Sequence, residues 1–415
     1  MWTVLRVGFL LGWRQIQRAN KWITVLIIFI MMLTFLFLVV ISGILVGLIV
    51  GGNRANRAQY TGDVIVTTYA GESSIERSQS IISTLETIPQ IESYTTRYIE
   101  PATVEANYRT RRDFDTLADT AATQLAGIVI ANEEATTHLS NYVVEGEFLN
   151  PSEDGYILLG ANLLRRYSAG FGDAFDSLED VFPGDRVRVH LGDVTKEFIV
   201  KGVIDSKVGE VSIRAFLPER ELIRLAGRND LNVNEIAIIH DNTISDDYLK
   251  TLLVKSDFDQ YGKIQTADEA IPQFLLDIKV TFGILGNVFG AVGLIVAVIT
   301  IFIIVFINAI TRRKYIGILK AIGVKRSVIE IAYMIQAFFY AIVGSGLGLL
   351  ITYGLLVPGF EAKPLDFPFS DGILVAPFEG TMIRLGILLA VTIVAGFIPA
   401  WLIGKKNTLD SILGR

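Results

Sequence analysis

Four stretches of the chain contain no Asp, Glu, Lys or Arg: residues 23–50, 280–311, 331–360 and 385–404. Roughly 20 apolar residues, rising about 1.5 Å each, cross a hydrocarbon core about 30 Å thick. Each run therefore predicts a membrane span, and the three longer ones predict helices that tilt or outrun the bilayer. The first run is about twice the length of a signal-peptide core and reads as a retained span. The fourth span, with its polar approach, is placed at 381–404.

Between the first and second runs the pattern changes to short apolar stretches separated by polar turns. A polar stretch, 51–61, leads into a predicted strand at 64–68. Residues 73–88 predict a helix, with Ser73 and Glu76 at capping-box spacing and Ile75, Ile82 and Leu85 on one face. A second strand at 91–98 completes a β-α-β opening, the first half of a split, ferredoxin-like unit. Further strands are predicted at 125–130, 156–159, 187–191, 198–204 and 236–239, and helices at 218–226 and 245–255; Pro183-Gly184-Asp185 is a turn signal. The expected plan is a ferredoxin-like part from 60–130 plus 233–268, interrupted by a β-rich insert at 131–232. Residues 266–276 read as helix continuing into span two as a stalk. Near the start, Trp2, Leu5, Phe9 and Trp13 recur at helical spacing. They predict either an amphipathic helix over 1–22 on the cytoplasmic leaflet or a plain extension of span one.

Charge orients this plan. Of 43 acidic and 37 basic residues, 51–276 holds 36 and 21, a local net of −15; the rest of the chain carries +9, and the total is −6. Arg6, Arg14, Arg18 and Lys21 precede span one without an acid. Arg312, Arg313, Lys314, Lys320, Lys325 and Arg326 face only Glu330 between spans two and three, and Lys405, Lys406 and Arg415 face Asp410 after span four. Basic short loops stay inside. The fold class expected is thus a membrane protein of four transmembrane α-helices, arranged one plus three, with a large α+β extracytoplasmic domain (51–276) between spans one and two. Residues 312–330 and 405–415 are then cytoplasmic and 361–380 external, so both termini lie inside the plasma membrane.

Candidate chemistry is sparse. There is no cysteine and no GxxxxGK[ST] loop, so this sequence does not hydrolyse ATP through that motif. His138, His190 and His240 stand at no metal-ligand spacing. The pairs Glu133-Glu134 and Asp246-Asp247 sit in polar stretches and read as solvated surface, and no GxSxG elbow occurs. Charge-free spans also argue against a proton relay or a charge-lined pore. An enzyme is not expected, nor any catalytic, cofactor or metal residue in this chain, and nothing calls for nucleic acid. What the spans do carry is glycine at four-residue spacing: Gly43, Gly47 and Gly51 in the first, Gly286 and Gly290 in the second, Gly344 and Gly348 in the third. Such rows suit close helix packing within the protomer or a dimer seam.

The most distinctive segment is the loop TRRKYIGILKAIGVKRSVIEI at 311–331. Arg312, Arg313, Lys314, Tyr315, Ile316, Gly317, Ile318, Leu319, Lys320, Ala321, Ile322 and Gly323 make a short amphipathic element. Ile316, Leu319 and Ile322 are expected on its exposed side, asking for a partner surface.

At this loop the sequence resembles the FtsX-like permease family, which includes MacB-type exporters and lipoprotein-releasing permeases. The family pattern of a basic cluster, E-I-G, two hydrophobics, a basic residue and A-L-G is matched by YIGILKAIGVKR at 315–326. RQIQRANKW before span one, PAW at 399–401, the closing LDSILGR, and the external blocks VVEGEFL, YILLGANLLRR, FPGDRVRVHLG and FIVKGVID also resemble family segments. Tyr315 replaces the family's acidic residue, and Ser411 and Leu413 replace its closing proline and glutamate. MacB carries a fused ATPase before its first span, whereas this sequence starts almost at the membrane.

The resemblance implies a permease that works with a separate ABC ATPase subunit holding ATP and Mg, and with a second permease copy or paralogue. Membrane lipid surrounds it, and a periplasmic adaptor remains open. ATP-driven closure would pass through residues 312–326 and the stalk at 266–300 to move the external domain, exporting or extracting a peptide, lipoprotein, lipid or hydrophobic drug. The alternative is a non-transporting regulator of an external cell-wall hydrolase or sensor kinase.

Overall fold

The computed structural model describes residues 2–109, 118–168, 176–228, 230–367, 369–372 and 374–405. In chain order, the elements up to the first long strands are α1 (Trp2–Gln17), α2 (Lys21–Asn56), a π-turn (Arg57–Thr61), β1 (Val64–Thr67), α3 (Ser78–Leu85), β2 (Ile91–Ala106) and β3 (Asp119–Ile128). Then come α4 (Ile130–Thr137), β4 (Val143–Gly146), β5 (Tyr156–Gly160), α5 (Arg165–Ser168), β6 (Arg186–Leu191), β7 (Val194–Ile204), α6 (Gly209–Ser212), β8 (Arg214–Pro218) and α7 (Glu219–Ala226). β9 (Glu235–His240), α8 (Asp246–Lys255) and β10 (Lys263–Thr266) precede α9 (Gln273–Thr311), α10 (Arg313–Ala321) and α11 (Arg326–Ile351). A second π-turn (Thr352–Leu356), α12 (Val357–Ala362), β11 (Leu365–Phe367), β12 (Ser370–Gly372) and α13 (Phe378–Lys405) complete the described chain. Two compact units result: 1–50, 277–365 and 372–415 form one, 51–276 and 366–371 the other.

In the sheet unit, β10-β1-β9-β2 lie side by side, all antiparallel, with α3 and α8 as the connections. This is the strand order of a split β-α-β pair, built from both ends of the segment. The sheet continues through β3, β8, β5 and β7 to β4, and β6 pairs with both β2 and β7. The strands β2-β3-β8-β5-β7-β6 therefore close a ring. One apolar core serves both parts, joining Val64, Ile81, Leu85 and Leu249 to Val104, Val187, Phe198 and Leu217. The strands of the stretch 131–232 join the same sheet, and β3 with the second half of β2 belongs to the ring.

β2 runs eight residues beyond the predicted strand. Pro101 reads as a breaker because it cannot donate to a ladder. It falls, however, where the β9 register has ended at Arg97↔Glu235 and the β6 register has not begun at Thr103↔His190, so one flank needs no donor there. Two helix predictions also shift. Residues 73–77 form turns, Arg77 at φ 51° precedes α3, and the Ser73–Glu76 capping box is not used, although Ile75 is buried. The predicted helix at 266–276 begins only at Gln273, since Thr266 ends β10 and Pro272 disfavours helix in the residue before it. Sequence reading also missed α4, β8 and β10.

The other unit contains helices long and apolar enough to cross a membrane, the four candidate segments being Lys21–Thr61, Leu275–Thr311, Arg326–Ala362 and Phe378–Leu402. Its interior gathers Met31, Phe35, Ala297, Ile301, Tyr333, Ala341 and Leu388. Small residues set the approach of the backbones. A Cβ on Gly344 would lie 2.6 Å from Met31 Cβ, one on Gly348 2.6 Å from Phe35 Cδ1, and one on Gly396 2.8 Å from Ala337 Cβ. α1 uses the same device against α11, where Gly8 and Gly12 meet Ile331 and Ala332. Its Trp2, Leu5, Phe9 and Trp13 are exposed.

Candidate functional site

α10 is nine residues long because both ends are fixed by backbone chemistry. Arg312 leaves helical geometry after α9. At the other end Gly323 adopts φ +93°, its N–H donating to Lys320 O (3.0 Å) and that of Val324 to Leu319 O (3.0 Å). This is a Schellman cap, and its left-handed residue favours glycine. α11 then starts at Arg326, which pairs with Glu330 (2.7 Å), donates to Trp401 O (2.9 Å) and lies over the Trp401 ring. The loop is thereby tied to the end of α13.

The helix places its residues differently from the expectation. Ile316, 2% exposed, joins the apolar interior with Ile329 and Tyr333; Gly317 is buried and Leu319 half-buried. The exposed apolar face is Tyr315 (71%), Ile318 (52%) and Ile322 (72%). Their spacing of three and four defines one helical stripe. Ile316 and Leu319 therefore do not belong to the presented surface, although Ile322 does. Lys314, Ala321, Gly323 and Lys325 are also exposed and Arg312 partly so; the side chain of Arg313 lies outside the described residues. Burial first, then the charge of Arg326, lowers the Lys320 ammonium below its usual value, against Glu330. The resemblance-derived tail at 406–415 lies outside the described residues.

The predicted glycine rows are put to different uses. Gly43 abuts Leu374, whose Cδ1 would lie 2.7 Å from an added Cβ, and Gly51 abuts Ser370 and Asp371. Gly47 is buried. Gly286 makes only ordinary contacts with Leu45 and Ser42, and Gly290 has nothing within 4 Å.

Sequence reasoning missed two polar clusters in the sheet unit. Glu133 is not solvated surface: it is 1% exposed, on α4, and binds the buried Arg97 through contacts of 2.7 to 3.2 Å. Nor is Asp246 free of partners, since it pairs with Arg57 (3.0 Å) and His240 (2.9 Å). With Asp63, His240 and Asp246 bring one ligand atom each within 4.8 Å. Their hydrogen bonding argues against a metal. His240 Nδ1 accepts the Asn242 N–H (3.2 Å), which puts the ring proton on Nε2, donated to Asp246 Oδ1. A metal on Nε2 would leave an anionic ring, and the Arg57 guanidinium already bridges both carboxylates.

Four membrane-capable helices and a sheet unit with its own core suit a multi-pass membrane protein, and a capped helix presents an apolar stripe among lysines. Residues 287–408, which include that helix, match the family model of the FtsX-like permease C-terminal domain. Over 293 residues the chain is 23% identical to the macrolide export ATP-binding/permease protein MacB of Campylobacter jejuni strain 81-176, covering 66% of this chain and 43% of that protein. It is 29% identical over 136 residues to the ABC transporter permease YtrF of Bacillus subtilis, covering 30% of each. The chain thus spans less than half the length of these curated relatives. Among solved structures it is similar to the periplasmic region of MacB from Actinobacillus actinomycetemcomitans, with 16% identity, a TM-score of 0.34, and coverage of 51% of this chain and 92% of that one. The chain carries an FtsX-like permease domain and is homologous to MacB and YtrF.

Proposed function

We propose that this protein is the permease of an ABC-type transporter that receives an ATPase on α10. The carrying observation is the Tyr315-Ile318-Ile322 stripe, unburied within the FtsX-like segment and flanked by Lys314 and Lys325. Three exposed apolar side chains ask for a protein groove, and the basic flanks support a cytoplasmic side for them. The same rule gives one span, an external domain and three further spans, with both termini inside. The charge-free spans support movement of the external domain over passage through a polar pore, with a peptide, lipoprotein, lipid or hydrophobic drug as the class of cargo. A dimer with a second permease fits the open surface at Gly290.

The test uses the full chain co-expressed with a candidate ABC ATPase subunit. Changing Tyr315, Ile318 and Ile322 together to Asp abolishes copurification while the permease stays folded in detergent. Undiminished association of the triple variant overturns α10 as the docking helix.

A further inference from the structure

The polar stretch at 51–61 looks like a linker in the sequence, and the structure ties it to the sheet through several side chains. α2 is one helix from Lys21 to Asn56, and the π-turn follows directly. Its side chains then reach separate elements. Arg57 donates from Nε to Asp63 Oδ1 (2.8 Å) and grips Asp246 on α8, with His240 of β9 against the same carboxylate. Gln59 Oε1 accepts from Ser206 Oγ (2.7 Å) and Lys207 N (3.1 Å), in the turn after β7. The guanidiniums of Arg97 on β2 and Arg214 on β8 lie over the Tyr60 ring, 5.1 and 5.2 Å from its centroid. Its hydroxyl donates to Glu235 of β9 (2.8 Å), and its carbonyl accepts from Arg97 (3.0 Å). Gly62, at φ +62°, closes the turn where an added Cβ would lie 2.6 Å from Ile238 O.

The charges close within this cluster. Arg97 and Arg214 are balanced by Glu133 and Glu235, all four buried. Removing one partner of such a set leaves an uncompensated buried charge. Arg57, Gln59 and Tyr60 together reach both halves of the sheet: β2 and β9 of the split β-α-β part, and β8 and the turn after β7 of the ring.

We propose that the π-turn is a mechanical joint that locks the end of α2 to the sheet, so that the helix end and both halves of the sheet move as one body. What the joint is for rests on the permease reading; that it is stiff rests on the contacts alone. The experiment is hydrogen exchange on the full chain in lipid nanodiscs, alone and with the ATPase. In the unaltered chain, amides 56–63 exchange as slowly as those of β1 and β9. The double variant Arg57→Ala, Gln59→Ala raises their exchange at least about tenfold while β5 and β7 keep their protection, and Arg57→Lys falls between. In the complex, ATP changes the exchange of the sheet unit, and the double variant loses that change while retaining ATPase association and turnover. Amides 56–63 exchanging about a hundredfold faster than β1 in the unaltered chain overturn the joint. So does a double variant that leaves them unchanged or keeps the ATP response. If the unaltered complex shows no ATP response, the permease reading fails instead, and the protection data alone decide the joint.

Discussion

Gly348 and Arg97, each buried in one of the two units, hold them in opposite ways. At Gly348 the contact across helices is apolar: the residue matters because it is absent as a side chain, letting α11 come down onto Phe35 of α2. Around Arg97 every donor counts, with Glu133 taking three contacts and Tyr60 and Glu235 one each. Between helices in lipid there is little hydrophobic gain from association, so close approach of backbones supplies it. The sheet unit buries its apolar core from water and can carry a paired charge cluster, whose value lies in fixing one arrangement.

The largest effect expected from breaking this contrast is on the charged side. Arg97→Met leaves Glu133 and Glu235 short of a partner and costs about 3–5 kcal/mol, read as a lowered urea midpoint of the sheet unit. The same cluster makes stability depend on acid. Burial by itself would raise the Glu235 carboxyl, but Arg214, then Arg97 and the Tyr60 hydroxyl, bring it down from 4.5 to about 2. A depressed carboxyl stabilises the fold fully above pH 4.5, and that contribution is lost as pH falls towards 2. Acid titration of unfolding shows this loss, and Glu235→Gln removes it. On the packing side, Gly344→Leu forces Met31 and the Ile28 carbonyl aside and costs about 1–3 kcal/mol, measured as thermal stability in detergent, with no pH dependence. Smallest is Gly323→Ala, which places a side chain at φ +93° and costs about 1 kcal/mol. It loosens the end of α10 and weakens ATPase association without unfolding either unit.

The four membrane-capable helices were legible because a charge-free run long enough to cross lipid stands out in a sequence. The split β-α-β order was legible from the β1-α3-β2 pattern, but the ring was not. Closing it depends on β6 pairing with β2 beyond Pro101, and nothing local to residues 98–106 announces that. On α10 the sequence offers apolar residues at 315, 316, 318, 319 and 322, so two overlapping stripes both have helical spacing. Only packing against Ile329 and Tyr333 selects Ile316 for the interior and turns Tyr315 and Ile318 outward. Glu133 and Asp246 were misread because an acidic pair in a polar stretch looks the same whether or not an arginine from a distant segment reaches it. Arg97 precedes Glu133 by 36 residues and Arg57 precedes Asp246 by 189.

The π-turn after Asn56 also acts as a phase shifter. An α-helix advances each side chain by about 100°, and a turn bonded i to i+5 accommodates one residue more than the α repeat. Tyr60 and Arg57 aim at their partners only because that extra residue is present. Deleting the exposed Ala58 would keep the composition of the segment nearly intact, yet it would rotate everything after it by one step, with the aromatic ring missing its two arginines. In this segment the residue count, more than residue identity, brings Tyr60 to its two arginines.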